Sequence, residues 1–227
     1  MKTIAIIPAR GGSKRLPNKN LLSLGGIPLI VHSILYAQKN GAIIDDIYVS
    51  TDDETIRKIA LHHGAKVIDR PENLSGDFET TVTALKHVIE SITIAIENLN
   101  IVLLQPTNPL RPDNLLKEAF EMYRKQNYDS LFTVTRNHQK LGKIINNKFV
   151  PFNYTIGQRS QDLEPLYFEN GLLYISKAKL ILENKILSES AFPMIVNHIF
   201  TNVDIDTQED LDYAEYLLKK SSRLRST

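Results

Sequence analysis

The chain alternates between two kinds of apolar pattern. Short runs rich in β-branched residues, at Thr3–Pro8, Asp46–Ser50, Ala65–Asp69, Asn100–Gln105 and Ser130–Thr135, are predicted to be buried strands. Between them lie Pro28–Asn40, Asp52–His63, Thr80–Glu97 and Pro112–Gln126, where helical periodicity is predicted. In the first of these, Leu29, Ile30, Ser33, Ile34 and Ala37 share one face, and Gly41 marks the stop. Asp52 or Asp53 is the expected N-cap of the second. Pro112 suits the first turn of the fourth, whereas Ser91–Ile94 weakens the third. Strands alternating with helices predict βαβ units, a mostly parallel sheet and three layers, an α/β fold. The rhythm breaks after Arg136. His138–Glu169 has short mixed pieces and is expected to be an antiparallel excursion inserted into one domain spanning residues 1–227. The α/β pattern resumes with Gly171–Ile175, Lys177–Glu183 and a helix at Thr207–Lys220, and the polar tail Ser221–Thr227 is expected to fray.

Composition narrows the picture. The 227 residues are 42% hydrophobic, enough for a full core without a staple. A formal net charge of +1 gives no electrostatic footprint for a nucleic acid, although a local basic cluster can still hold an anion. With no cysteine there is no disulfide framework, thiolate zinc site or cysteine nucleophile. No apolar stretch reaches the roughly 20 residues that span a bilayer, and the first run is too short for a signal h-region. A cytoplasmic chain with no membrane partner is expected.

Ligands of open α/β sheets sit outside the carboxyl ends of the strands. The segments to inspect are therefore 8–20, 50–52, Arg70, 105–111 and 204–207. The first carries Arg10, Gly11, Gly12, Ser13, Lys14, Arg15 and Lys19. Its glycines allow close backbone approach or positive φ, and successive amides there can form an anion nest. Together with the four cations this suits a triphosphate; the alternative is a solvated Gly-rich turn carrying surface charge. The segment lacks the second Gly before Lys and the Ser/Thr of a P-loop. It also lacks the third Gly of the dinucleotide fingerprint that a Rossmann oxidoreductase needs. Asp204 and Asp206, at i and i+2, place both carboxylates on one side of an extended segment, which suits Mg2+. Asp206 and Thr207 can equally cap the next helix, with Glu209 and Asp210 complementing its dipole. The six histidines have no ligand-like spacing and are expected to be structural or surface residues.

Ile7–Asn20, Ser50–Asp52, Arg70-Pro71 with Ser75–Asp77, Leu103–Arg111 and Asp204–Thr207, in that order, resemble the acylneuraminate cytidylyltransferases (CMP-sialic acid synthetases). These are a branch of the nucleotide-diphospho-sugar transferase superfamily, and the resemblance runs from about Ile4 to Tyr213. It implies a Rossmann-like sandwich and direct attack by the anomeric hydroxyl of a nonulosonic acid (N-acetylneuraminate, legionaminate or pseudaminate) on the α-phosphorus of CTP. Pyrophosphate leaves, and no protein nucleophile is involved.

Carried over, Ala9, Arg10, Gly11, Ser13, Lys14, Asn20, Arg70 and Thr81 would bind the nucleotide. Gln105, Thr107, Asn108, Arg159 and Asn170 would bind the sugar. Arg10, Lys14, Lys19 and Asp206 would be catalytic, and Asp204 and Asp206 would hold Mg2+. The excursion 138–169 would be a dimerisation arm reaching the other subunit's sugar pocket in a homodimer. Several positions depart from the family: Phe78 and Glu79 follow the Ser75–Asp77 segment, and Phe168 and Glu169 precede Asn170. For individual residues the alternatives are a surface ion pair for Arg70, a helix cap for Arg111 and an exposed loop charge for Arg159; a sugar contact at His138 is weaker still. For the whole chain they are activation of an eight-carbon keto-sugar acid, or a non-catalytic nucleotide-binding relative.

Overall fold

The computed structural model describes residues 2–225. In chain order the first half contains β1 (Lys2–Pro8), β2 (Ser23–Leu24), β3 (Ile27–Pro28), α1 (Leu29–Lys39), β4 (Asp46–Thr51), α2 (Glu54–His62), β5 (Lys66–Asp69), α3 (Thr81–Ser91) and β6 (Leu99–Leu103). The second half contains α4 (Leu115–Lys125), β7 (Ser130–Asn137), β8 (Gly142–Ile145), β9 (Lys148–Pro151), β10 (Leu166–Lys177), α5 (Ala178–Leu182), β11 (Phe192–Ile195) and α6 (Gln208–Arg225).

Seven strands form one sheet in the order β11-β7-β10-β6-β1-β4-β5. β10 is antiparallel to both its neighbours, β6 and β7, while the other pairings are parallel. Alternation along β1 explains the layering. Ala5 and Ile7 face a core shared with α1, α2 and α4, and Ile4 and Ile6 face a second core under α3 and α5. A third cluster joins Leu24, Leu29, Phe200, Val203 and Ile205 to Leu211, Ala214 and Leu217 of α6, anchoring the segment that carries Asp204 and Asp206. The order reverses at β1: β4 and β5 lie to one side and β6 to the other. The loops after β1 and β6 therefore flank a topological switch point.

The expected α/β sandwich with a mostly parallel sheet is what the chain forms, with several corrections. The third helix stops at Ser91 rather than Glu97, because β-branched Ile92 is already extended (φ −108°, ψ 146°). Pro112 lies before α4 rather than in its first turn, its carbonyl accepting from Leu115 N. Asp53, not Asp52, caps α2 through Thr55 N and Ile56 N. The tail expected to fray from Ser221 continues as helix to Arg225; residues 226 and 227 lie outside the described range. Gly171–Ile175 is the middle of the twelve-residue β10, and β11 had no sequence signal strong enough to predict it.

The excursion is antiparallel as expected. It is built from the β8–β9 hairpin, a 3-10 turn at Ser160–Asp162 and the first residues of β10, paired with the extended end of β7.

Candidate active site

The loop after β1 folds so that its cations meet carboxylates far away in sequence. Arg10 Nη1 donates to Gly76 O (3.1 Å) and to Asp77 Oδ1 (3.1 Å), and Lys14 Nζ pairs with Asp77 Oδ2 at 2.5 Å. The hydrogen bond from Lys14 above all, with Arg10 adding, holds the Asp77 carboxyl below its ordinary pKa, and desolvation opposes them. Arg15 Nη2 and Lys19 Nζ each lie 2.7 Å from a different oxygen of Asp206. Asn20 is buried and donates to Arg10 O (2.8 Å), which fixes the loop's exit.

The two glycines act differently from expectation. Neither Gly11 nor Gly12 has positive φ; the left-handed residue of the loop is Asn18 (φ 53°). Gly11 is required because a Cβ there would lie 2.8 Å from Asp53 Oδ2, and its amide donates to Asp52 Oδ1 (2.9 Å). Ser13 is half-buried, its amide donating to Gly11 O (3.1 Å), and Ala9 is fully buried with its amide on Ser50 O (2.9 Å).

Two cavities lie beyond the strand ends. The first, about 190 Å3, is bordered by Arg10, Lys19, Asn20, Arg70, Thr81 and Thr107, with Gln105 at its edge. Arg70 is not a surface ion pair. It is buried, donating from Nε to Ser50 Oγ (3.0 Å) and from Nη2 to Ser50 O (2.7 Å). Burial lowers its pKa, with Asp52 opposing and Arg10 adding. The second cavity, about 360 Å3, shares Gln105 and is walled by Asn108, Phe168, Glu169, Asn170, Tyr174 and Asp204.

Several expected sugar contacts are committed internally. Asn108 Nδ2 donates to Val203 O (2.8 Å) and Asn170 O (3.3 Å), and Gly171 at φ 73° leaves no room for a Cβ beside it. Asn170 Nδ2 donates to Thr135 Oγ1 (2.9 Å), and its Oδ1 accepts from Thr133 Oγ1 (2.6 Å). Arg111 neither caps α4 nor opens on a cavity. Its guanidinium is buried, reaching Leu172 O, Ser33 Oγ and Gln105 O at 2.7, 3.2 and 2.8 Å, and it lies 5.5 Å over the Tyr36 ring. Burial lowers its pKa to about 10.

The segment 203–206 is pinned from the same loop, because Ile205 N donates to Thr107 O (2.8 Å). Asp204 has an open edge, yet the surrounding protein raises its pKa. A hydrogen bond from Thr107 opposes the rise, and the charge of Asp206 adds to it. Capping of α6 falls to Thr207 and Asp210, whose Oδ2 accepts from Thr207 N (2.8 Å) and Asp206 N (3.0 Å). The Asp206 side chain is thereby free of the cap.

Arg159 is not brought to either cavity. It forms a two-pronged pair with Asp162 (2.7 and 3.1 Å) on the exposed excursion. His138 lines a groove of about 1350 Å3 between the excursion and the 195–202 segment. The sequence reasoning missed the side-chain parts played by Arg15, Asp77, Glu169 and Tyr174. Asp77 and Arg15 stood inside segments already singled out, but only the fold shows which charges they meet.

An open α/β sheet with loops meeting over its switch point belongs to the class of proteins that hold ligands outside the strand ends. Residues 4–225 match the family described as cytidylyltransferase, and the chain belongs to that family. Among relatives, the N-acylneuraminate cytidylyltransferase of Streptococcus agalactiae is 38% identical over 92% of this chain and 52% of its own length. The chain thus spans about half the length of that relative. The pseudaminic acid cytidylyltransferase of Campylobacter jejuni is 35% identical over 96% of this chain and 97% of its own. Among solved structures, a CMP:2-keto-3-deoxy-manno-octonic acid synthetase complexed with CTP superposes with a TM-score of 0.74 at 20% identity, covering 97% of this chain and all of that one. That likeness supports the shared fold. Among the described residues no helix is long and apolar enough to cross a membrane.

Proposed function

We propose that the chain transfers the cytidylyl group of CTP to the anomeric hydroxyl of a nonulosonic acid, N-acetylneuraminate or a legionaminate or pseudaminate, and releases pyrophosphate. One observation carries this reading: two cavities meet at Gln105, one bordered by cations and the other by neutral and acidic polar groups. Arg10, Lys14 and Lys19 would exchange their carboxylate partners for phosphate oxygens. They would stabilise the charge that grows on the α-phosphorus and on the leaving pyrophosphate. Ala9, Gly11, Ser13 and Asn20 shape the loop around the triphosphate, and Arg70 and Thr81 lie where the cytidine would rest. Gln105 and Thr107 would orient the sugar acid, with Asn108 and Asn170 holding the wall behind it.

Asp204 and Asp206 would hold Mg2+, with Arg15 and Lys19 released from the Asp206 oxygens they pair with here. No cluster of three or more carboxylates and imidazoles exists among the described residues, and Mg2+ commonly takes one or two carboxylates and completes its shell with water and substrate phosphates. Bound there, it would draw charge from the α-phosphate and lower the pKa of the attacking hydroxyl. CTP and Mg2+ are both cytoplasmic reagents, which supports a cytoplasmic place for the enzyme.

The reading includes a homodimer. The excursion exposes Ile144, Phe152 and Ile156 at 78%, 65% and 87%, a pattern of apolar surface that calls for cover. No Lys, Arg or His lines the larger of the two cavities, so a protein cation for the carboxylate of a sugar acid would have to come from outside its walls, as Arg159 of a second copy would provide.

The test is pyrophosphate release with CTP and Mg2+ across neuraminate, legionaminate, pseudaminate and an eight-carbon keto-sugar acid, with ATP, GTP and UTP as controls. Release with CTP and a nonulosonate is expected. Release with the eight-carbon acid alone, or with another nucleotide, overturns the substrate assignment.

A further inference from the structure

Arg111 lies near the end of the loop between β6 and α4, and its side chain turns back beneath that loop. It is buried and lines neither cavity. Nη2 donates to the carbonyl of Gln105, six residues earlier, at 2.8 Å. Nε donates to Leu172 O of β10, 61 positions away, at 2.7 Å. Nη1 donates to Ser33 Oγ of α1 at 3.2 Å, and the Tyr36 ring of the same helix lies 5.5 Å from the guanidinium carbon. All three acceptors are neutral oxygens, so these bonds add no ion pairing to offset the cost of burying the charge. What they supply is direction. A planar fork bonds three oxygens at fixed angles, which the single ammonium of a lysine does not reproduce.

Two of those acceptors belong to the frame of the larger cavity. Gln105 lines it, and lines the smaller cavity as well. Leu172 directly follows Asn170 and Gly171, which stand in the wall of the larger one, and its amide donates to Asn170 Oδ1 at 3.1 Å. Stapling the loop alone would need only the return to Gln105 O, which already accepts from Asn108 N at 3.2 Å. The arm to β10 does something further: it ties Gln105 to the strand that carries the proposed sugar wall.

We propose that Arg111 is a positioning residue for cytidylyl transfer, which sets Gln105 against the Asn170–Gly171 wall and so the approach of the sugar hydroxyl to the α-phosphorus. This rests on the nonulosonate reading above and deepens it. Misplacing reacting groups by about 1 Å costs on the order of a hundredfold in rate. A group that aligns bound reactants lowers kcat and leaves ground-state binding of CTP in place.

The test variant is Arg111→Lys, which keeps the charge and gives up the fork. Its kcat for pyrophosphate release from CTP and a nonulosonate is expected to fall about tenfold or more, with the KM for CTP within about twofold of wild type. A double-variant cycle reads the partnership with Gln105. Gln105→Ala should lower kcat/KM for the sugar in the wild-type background and add much less in Arg111→Lys, because a displaced Gln105 has already lost its contact. For a residue that only holds the fold together, the two factors multiply instead. Ser33→Ala loosens the same guanidinium from α1 without altering either cavity lining, and should show the same split at about threefold. It carries the test if a thermal melt shows Arg111→Lys unfolded at the assay temperature. An unchanged kcat in the folded variant, or factors that multiply in the cycle, overturns the proposal. A wild-type enzyme that releases no pyrophosphate with any sugar acid overturns the reaction reading and this role with it, whereas an active wild type with either failed variant result overturns this role alone.

Discussion

The two cavities are built from opposite electrostatic logic. On the proposed nucleotide side four cations of one loop are each held by a carboxylate of the same chain, Arg10 and Lys14 by Asp77, Arg15 and Lys19 by Asp206. On the proposed sugar side two carboxylates, Glu169 and Asp204, line a wall that contains no cation. The first half is electrically closed before any ligand arrives, and a triphosphate has only to replace one anion by another. The second half is open, and a sugar acid needs charge supplied from elsewhere. Between them stands Gln105, whose backbone carbonyl is gripped by the buried Arg111.

Four changes break or sharpen that contrast. The largest effect is expected at Asp206, which belongs to both the loop's closure and the proposed Mg2+ site. Asp206→Ala should lower the rate of pyrophosphate release by on the order of a hundredfold to a thousandfold with the fold intact by circular dichroism. A near-normal rate with Mg2+ would remove Asp206 from the chemistry.

Arg111→Met acts on the seam. It removes the guanidinium donor from Leu172 O and from Gln105 O, the latter keeping Asn108 N, and unfolding in denaturant should show a loss of about 2–3 kcal/mol. An unchanged midpoint would show that the two cavities keep their spacing without it.

Arg159→Ala tests whether the open half is completed from outside. The KM for the sugar should rise by about tenfold or more while the KM for CTP hardly moves. Mixing Arg159→Ala chains with Asp206→Ala chains should restore activity, because a mixed dimer with crossing arms contains one intact site. A mixture as inactive as its components would place Arg159 away from any second copy.

The smallest effect is at Asp77. Asp77→Asn should tighten metal-free CTP binding a few-fold, because an exposed competitor for Arg10 and Lys14 is gone; weaker binding would mean that the carboxylate organises the loop rather than competing. The pH dependence has a definite sign. Lys14 and Arg10 depress the Asp77 pKa in the folded protein, so the clasp contributes fully above the ordinary carboxylate pKa. It is lost only as pH falls through the lowered value. Hydrogen exchange across residues 9–20 as a function of acid pH reads it directly.

Much of the fold was legible locally. A strand buried on both faces needs a continuous apolar run, as Ile4–Ile7 has, and a helix on one face needs the spacing of Leu29, Ile30, Ser33, Ile34 and Ala37. The weak places were those where local and tertiary preferences compete. Ile92 leaves the helical pattern because its branched side chain favours extension. β11 is a short strand, bounded in its burial by a single neighbour, and carries Pro193, which sequence rules read as a break. Within the site, residue type and order pointed to the cationic loop, to Gln105 and to the Asp204–Asp206 pair. They could not separate a side chain that faces a ligand from one spent on holding the wall. Asn108 and Arg111 sit in the same motif as Gln105, yet both are consumed by backbone carbonyls.

The sequence by itself determined the alternation of strands and helices, the charge of the loop after β1 and the family, because each is written in spacing and residue type over short stretches. The tertiary structure alone decided which charges meet. Lys19 reaches Asp206 across 187 positions, and Tyr174 tethers Glu169 over an irregularity in the ladder. The first contact arises only when the fold brings distant segments to one edge, and the second only where the ladder of a single strand shifts register, so distances of about 3 Å rather than chain order set the energy.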